Sequence, residues 1–358
     1  MIENTLYIED VKFVAELDLP WNQLKNKTIL LTGATGLLGT FFVDVVMYRN
    51  IYFDLGCKLL LIGRNIDKAK QRFEKYWNSG FLIFYTHDIN LPLEINEQKI
   101  NFVMHLASNT HPLQYANEPI STITTNIIGL KNMLDLAVDH NIERFVFASS
   151  NEIYGENRGD VELFDENYCG YINSNTLRAG YPESKRCGEA LCQAYIKQYN
   201  MDIVIPRFTR SYGPTMRMND TKAISQFIKN GIKGENIVLK SEGNQYYSYT
   251  YVSDAISGLF TILFYGKNGE AYNIADEESD IKLKDLASLI AKDVNTKVIF
   301  QLPDDIEKSG YSKATKARLN GNKLKQLGWK PKYSIQEGIV RNINIIKSIS
   351  FKEYSDEA

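Results

Sequence analysis

Short, continuously apolar segments recur along the chain, separated by amphipathic stretches. They begin at Thr28–Thr32 and continue with Lys58–Ile62, Phe81–Tyr85, Phe102–Leu106, Arg144–Ala148 and Ile203–Pro206. Each is shorter than an ordinary helix and apolar at successive positions, so each reads as a strand buried on both faces. Helical patterns at Asp67–Tyr76, Ile120–Asp139 and Ser184–Tyr199 lie between them. This alternation predicts an α/β fold, with a parallel sheet covered by helices on both sides. The right-handed crossover rule makes that sheet doubly wound.

After about residue 207 the rhythm changes. Short strands at Ile237–Lys240, Tyr246–Val252 and Lys297–Phe300 mix with helices at Ser253–Phe264 and Leu283–Asp293. This predicts a smaller α+β lobe interleaved with the end of the main sheet. Four segments are expected: an amphipathic N-terminal extension (1–27), the main domain (28–207), mainly the second lobe (208–348) and a tail (349–358).

Composition narrows the class. A chain of 358 residues has room for a large α/β domain and a lobe, and 44% hydrophobic with 23% charged residues is ordinary for a globular protein. The net charge of −2 provides no global field for nucleic acid or a membrane surface, so neither is expected as a partner. The four cysteines form no CxxC pair and the four histidines are scattered, which predicts reduced thiols and no metal site. The N-terminus is broken by Glu3, Glu9, Asp10 and Lys12, unlike a secretory signal. No apolar run approaches the ~20 residues of a membrane span. A cytoplasmic location is expected. Tyrosines are abundant, and the run Tyr246–Tyr251 is expected to pack in a core more than to stack on a ligand.

Candidate chemistry starts at the first strand. It is followed by T-G-A-T-G-L-L-G, Thr32 to Gly39, which opens a helical pattern. Glycine permits the sharp turn and close approach of a pyrophosphate, and a helix N-terminus offers unpaired N–H groups to an anion. Gly33, Thr35, Gly36, Leu37, Leu38 and Gly39 are therefore candidate dinucleotide contacts in a Rossmann-like domain. The smaller lobe becomes the candidate substrate-binding part. NAD-selective folds usually carry an acid at the end of the second strand, but here that strand runs into Gly63-Arg64-Asn65. Arg64 could pair with a 2′-phosphate and stack beside adenine, which favours NADP over NAD; the alternative is a surface arginine, and Asn65 is a further candidate cofactor contact. Asp88 is a candidate adenine contact.

Tyr181 and Lys185 stand four residues apart, on one face if the segment is helical. An ammonium about 4 Å from a phenol favours the phenolate by roughly 4 kcal/mol, or ~3 pKa units, making the tyrosine a candidate general base.

Taken in order, T-G-A-T-G-L-L-G, H-L-A-S at His105–Ser108, S-S-N-E-I-Y-G at Ser149–Gly155 and Y-P-E-S-K at Tyr181–Lys185 resemble the extended short-chain dehydrogenase/reductases. The resemblance is to their NAD(P)-dependent nucleotide-sugar epimerases, dehydratases and decarboxylases, and runs from about Thr28 to about Ile345. It includes Tyr212-Gly213-Pro214, Tyr251-Val252-Ser253-Asp254 and Leu327-Gly328-Trp329-Lys330-Pro331. The segment His105–Ile120 looks most like UDP-glucuronate decarboxylases.

The resemblance implies that Tyr181 exchanges a proton with a sugar hydroxyl while hydride passes to the cofactor. It implies that Lys185 tunes the tyrosine and holds the cofactor, that Ser150 binds the reacting oxygen, and that Leu106, Ala107 and Ser108 line the cofactor site. Glu152 would act on the keto sugar. Asn151 stands where dehydratases carry an acid, which makes dehydration less expected. Tyr115, Arg210, Tyr247 and Lys313 are the implied substrate contacts.

Departures matter here. Arg210 replaces the Asn of the relatives' Asn-Thr-Tyr-Gly-Pro, and Tyr247 stands where a phosphate-binding arginine is expected. A second such arginine is missing near Lys313, which could stand in for it; either Arg210 or Arg217 compensates, or the substrate lacks a standard nucleotide diphosphate. An enzyme with a transient keto intermediate is expected, epimerisation first. Decarboxylation or dehydration, and a non-catalytic dinucleotide sensor, are the alternatives. The resemblance also implies a homodimer through a four-helix interface, built on Ile120–Asp139 and Ser184–Tyr199.

Overall fold

The computed structural model describes residues 1–95, 99–110, 117–216, 220–301 and 315–355, with side chains through residue 349. Its centre is a parallel sheet of order β11–β7–β5–β4–β1–β2–β3, with β6 beside β7. The strands are β1 (Thr28–Thr32), β2 (Lys58–Gly63), β3 (Leu82–Thr86), β4 (Phe102–His105), β5 (Arg144–Phe147), β6 (Ser149–Ser150), β7 (Ile203–Phe208) and β11 (Ala271–Ile274). All five residues of β1 are buried, as expected of a strand covered on both faces. The sheet grows outward in both directions from β1 and β4, so it is doubly wound.

Register explains where the site forms. Thr32 pairs with both Ile62 and His105, and His105 pairs with Phe147. The segments Gly33–Gly36, Gly63–Asn65, Leu106–Ser108 and Ala148–Asn151 therefore all leave the sheet at its C-terminal edge. In an open α/β sheet that edge, where the strand order reverses, is where ligands bind.

In the second half, β8 (Arg210–Tyr212), β12 (Asp280–Lys282) and β14 (Lys316–Ala317) pair with β10 (Tyr246–Tyr251), while β9 (Ile237–Leu239) pairs with β13 (Val298–Phe300). β11 completes the main sheet beside β7, which the sequence pattern did not reveal. Four consecutive residues containing an asparagine gave too little apolar signal.

Helix boundaries differ from expectation at two informative places. The Ile120–Asp139 pattern is divided into helix Pro119–Thr124, a π-helical turn Thr125–Gly129 and helix Leu130–Asp139. The helix expected from Ser184 starts at Gly180, because Pro182 falls in the first turn where its missing N–H costs nothing. Tyr181 is thereby held by the helix itself. At the N-terminus, helix Thr5–Ala15 packs on helices Leu37–Phe53 and Val252–Tyr265. Among the described residues no helix is long and apolar enough to cross a membrane.

Candidate active site

A cavity of ≈ 720 Å³ runs along the C-terminal edge of the sheet. That is within the range of a pocket for a large organic ligand. Its wall includes the whole loop Gly33–Gly39, and also Arg64, Asn65, Asp88, Leu106, Ala107, Ser108, Ser150, Asn151, Glu152, Tyr181, Lys185, Arg210 and Tyr247. The candidate residues quoted from the sequence thus share one space. Tyr115, Arg217 and Lys313 lie outside the described residues.

The glycine loop fits a dinucleotide. Gly33 has φ +75°, and a Cβ there would sit 2.8 Å from the Ala107 nitrogen. A Cβ on Gly39 would come within 2.3 Å of the Gly33 carbonyl oxygen, so helix and loop pack backbone to backbone. Gly36 caps helix Leu37–Phe53, and no acid occupies the first turn to compete with an anion. Thr32 fastens the floor: its Oγ1 accepts from the Ala107 N–H at 3.1 Å and meets His105 Nδ1 at 3.0 Å. Burial pushes the His105 imidazole down to about 3, so it stays neutral.

Arg64 is exposed on the rim. Asn65 has a more local task than expected: its Oδ1 caps helix Ile66–Arg72 by accepting from the Lys68 N–H at 2.8 Å. Asp88 Oδ1 likewise accepts from the Asn90 backbone N–H and side chain, both at 3.0 Å. Both residues still line the cavity.

At the other end Tyr181 is buried, at 6% exposure, and its phenol shares hydrogen bonds with Ser150 and Ser108. Ser150 is positioned by the short turn Asn151–Tyr154, which it caps by accepting from the Glu152 N–H at 3.2 Å. Burial pushes the Tyr181 phenol up to about 12; Glu152 raises it further, while Ser150, Arg178 and Ser108 work the other way.

The expected lysine–phenol coupling is not the dominant contact. Lys185 instead donates to the Ala148 carbonyl at 2.8 Å and stands 4.9 Å from the Phe147 ring centre. Burial lowers its own proton affinity to about 7, partly offset by Cys192 and Glu189. An ammonium that is itself desolvated and turned to the backbone is a weak lever on its neighbour.

Three side chains escaped the sequence reading. Arg178 Nη2 donates to Glu152 Oε2 at 2.7 Å, with both side chains largely buried. Its place is three residues before Tyr181, in the short turn Leu177–Ala179 that leads into the helix. Asn126, fully buried in the π turn, accepts from Ser108 Oγ at 2.7 Å and donates to Ser184 Oγ at 2.9 Å. Ser184 in turn donates to the Tyr181 carbonyl. Glu189 receives a bidentate pair from Arg207, at 2.9 and 2.6 Å, and a hydrogen bond from Ser149, tying helix Gly180–Tyr199 to β6 and β7.

The missing arginine at position 247 also has a structural counterpart. β8 pairs with β10, Arg210 opposite Tyr249, and the Arg210 guanidinium lies 3.5 Å above the Tyr247 ring centre. A cation therefore stands over the tyrosine that replaced one.

Fold and site together define a dinucleotide-dependent α/β enzyme acting on a small substrate. The chain belongs to the NAD dependent epimerase/dehydratase family, whose model matches residues 29–275. UDP-glucuronic acid decarboxylase 6 of Arabidopsis thaliana is 31% identical over 319 residues, 88% of this chain and 87% of that protein. Among solved structures, UDP-glucuronic acid 4-epimerase from Bacillus cereus, in complex with UDP-glucuronic acid and NAD, has a TM-score of 0.76 at 21% identity, covering 90% of this chain and 99% of that one. The dTDP-glucose 4,6-dehydratase from Streptomyces venezuelae has a TM-score of 0.75 at 21% identity, covering 90% and 97%. Likenesses this close to enzymes of different outcome show the shared fold and leave the reaction to the side chains.

Proposed function

We propose that this enzyme oxidises a hydroxyl of a nucleotide-linked sugar to a transient ketone, epimerises the sugar and restores the hydroxyl. The supporting observation is the convergence of Ser150, Tyr181 and Glu152 at one end of the cavity formed by the glycine loop. When bound, NAD or NADP supplies the acceptor for the hydride leaving the sugar carbon, and its donor on return. Tyr181, as phenolate, takes the hydroxyl proton and later gives it back. Ser150 holds the reacting oxygen and Lys185 anchors the cofactor side. A ketone acidifies the C–H bonds beside it, and Glu152, a carboxylate in the wall of the same cavity, is our candidate to take such a proton. Asn151 carries no acidic proton for a departing hydroxyl, which argues against dehydration.

Decarboxylation is the second reading, supported by the curated relatives named for it and by the guanidinium of Arg210 over Tyr247. UDP-glucuronate labelled with carbon-13 at the carboxyl, incubated with enzyme and NAD in deuterium oxide, separates the two. Epimerisation keeps the label, with deuterium entering beside the ketone when Glu152 is the base. Labelled carbon dioxide and a pentose product overturn the epimerase reading.

The absence of an acid at the end of β2, where Gly63-Arg64-Asn65 stands, and the exposure of Arg64 support a preference for NADP. Arg64→Ala is expected to weaken NADP about tenfold and leave NAD within about twofold. Titration of both cofactors checks this, and equal loss for both removes Arg64 from the argument. A homodimer is the partner we favour. Ile120 and Ile128, 77% and 44% exposed, support it as an apolar face on the segment beside helix Gly180–Tyr199.

A further inference from the structure

A side pocket of ≈ 70 Å³ adjoins the main cavity. Asn151, Glu152, Arg178 and Arg210 line both spaces, so the pocket joins the cavity beside the reacting end. Its charged walls are Arg178 and Arg210 against Glu152 and Glu156. Glu152 is engaged by Arg178 at 2.7 Å. Arg210 is stacked on Tyr247, and its Nη1 is buried with no hydrogen-bond partner among the described residues.

A buried donor left without an acceptor loses the hydrogen bond it had to water, and the loss is greater on a charged group. Any group that brings an acceptor to Arg210 recovers that cost. A hydroxyl would satisfy the donor alone, whereas an anion satisfies donor and charge together. The stacked ring fixes the plane of the guanidinium, which suits a flat two-oxygen acceptor.

We propose that Arg210 makes this side pocket a subsite for a carboxylate on the substrate sugar, with Arg178 as the second cation. The proposal rests on the nucleotide-sugar reading above and narrows it to sugar acids, whatever becomes of the keto sugar afterwards. It assigns a task to the arginine that stands where relatives carry an uncharged asparagine. The competing task for Arg210 is to grip the diphosphate, replacing the arginine lost at Tyr247.

Calorimetry on the NAD-loaded full chain tests the assignment with UDP-glucuronate, UDP-glucose and UDP. UDP-glucuronate is expected to bind about tenfold or more tightly than UDP-glucose. Arg210→Met should erase that difference while leaving UDP and UDP-glucose within about threefold. Arg210→Lys, which keeps a point charge without the fork, should retain part of the preference; it carries the test if Arg210→Met does not fold. Equal affinity of the wild type for both sugars overturns the proposal. So does a variant that loses UDP and both sugars to the same extent, which assigns Arg210 to the diphosphate. Selective binding of the acid without turnover keeps the subsite and sinks the reaction reading. Turnover of neutral sugars with no preference for the acid does the reverse.

Discussion

Tyr181→Phe is expected to lower kcat by about 10²–10⁴-fold, the range a positioned acid–base group contributes. NAD affinity should change little, because the substitution removes one oxygen and keeps the ring that fills the space. The phenol is buried and hydrogen-bonded with Ser150 and Ser108. Losing their partner costs both serines something, so a stability loss of about 1–2 kcal/mol should accompany the loss of turnover. Calorimetric NAD binding and a thermal melt keep the two effects apart. The pH profile carries the same logic. Burial holds the proton on Tyr181 to about 12, and the base form grows as pH rises towards that value. Wild-type activity should therefore climb with pH on its acidic side, and the residual activity of Tyr181→Phe should lack that rise. Unchanged turnover in the variant would falsify the assignment of Tyr181 as the base.

Much of this fold was legible because buried parallel strands leave an unambiguous trace. β1 to β5 were expected within a residue or so of where they lie, since the interior of such a strand is apolar at successive positions. What stayed hidden depends on contacts between distant segments. The π turn at Thr125–Gly129 has no marker of its own; it carries a buried Asn126 that links Ser108 to Ser184. Tyr181 and Lys185 were correctly read as sharing a helix, but spacing could not show that Lys185 turns to the Ala148 carbonyl. Likewise the sequence showed that an arginine was missing at Tyr247. It could not show that strand pairing brings Arg210 over the ring, since that needs the register of β8 on β10. The Arg178–Glu152 pair spans 26 residues and two separate turns, which no local pattern encodes.

The second large effect concerns the two ends of the chain. Asp10→Ala is expected to destabilise the protein by about 3–5 kcal/mol, a fall in melting temperature of roughly 5–15 °C. Asp10 is fully buried and accepts from the Tyr251 hydroxyl at 2.8 Å, the Tyr333 hydroxyl at 2.8 Å and Arg341 Nε at 2.6 Å. One carboxylate thus ties helix Thr5–Ala15 to β10 and to helix Ile335–Ser355. Alanine would leave three donors without an acceptor and a cavity among them. Asparagine should cost distinctly less. Burial raises the Asp10 proton affinity above its ordinary value, with the hydroxyls and Arg341 opposing that shift. Between the unfolded and folded pKa the native state binds the extra proton, so this group's contribution to stability falls as pH rises through that window. The amide reproduces the uncharged form, and Arg341 keeps its other carboxylate, Glu9, at 2.9 Å. Thermal melts of the two variants at neutral pH should therefore rank Asn above Ala. Equal losses would mean that the charge of Asp10, and not its accepting oxygens, holds the ends together.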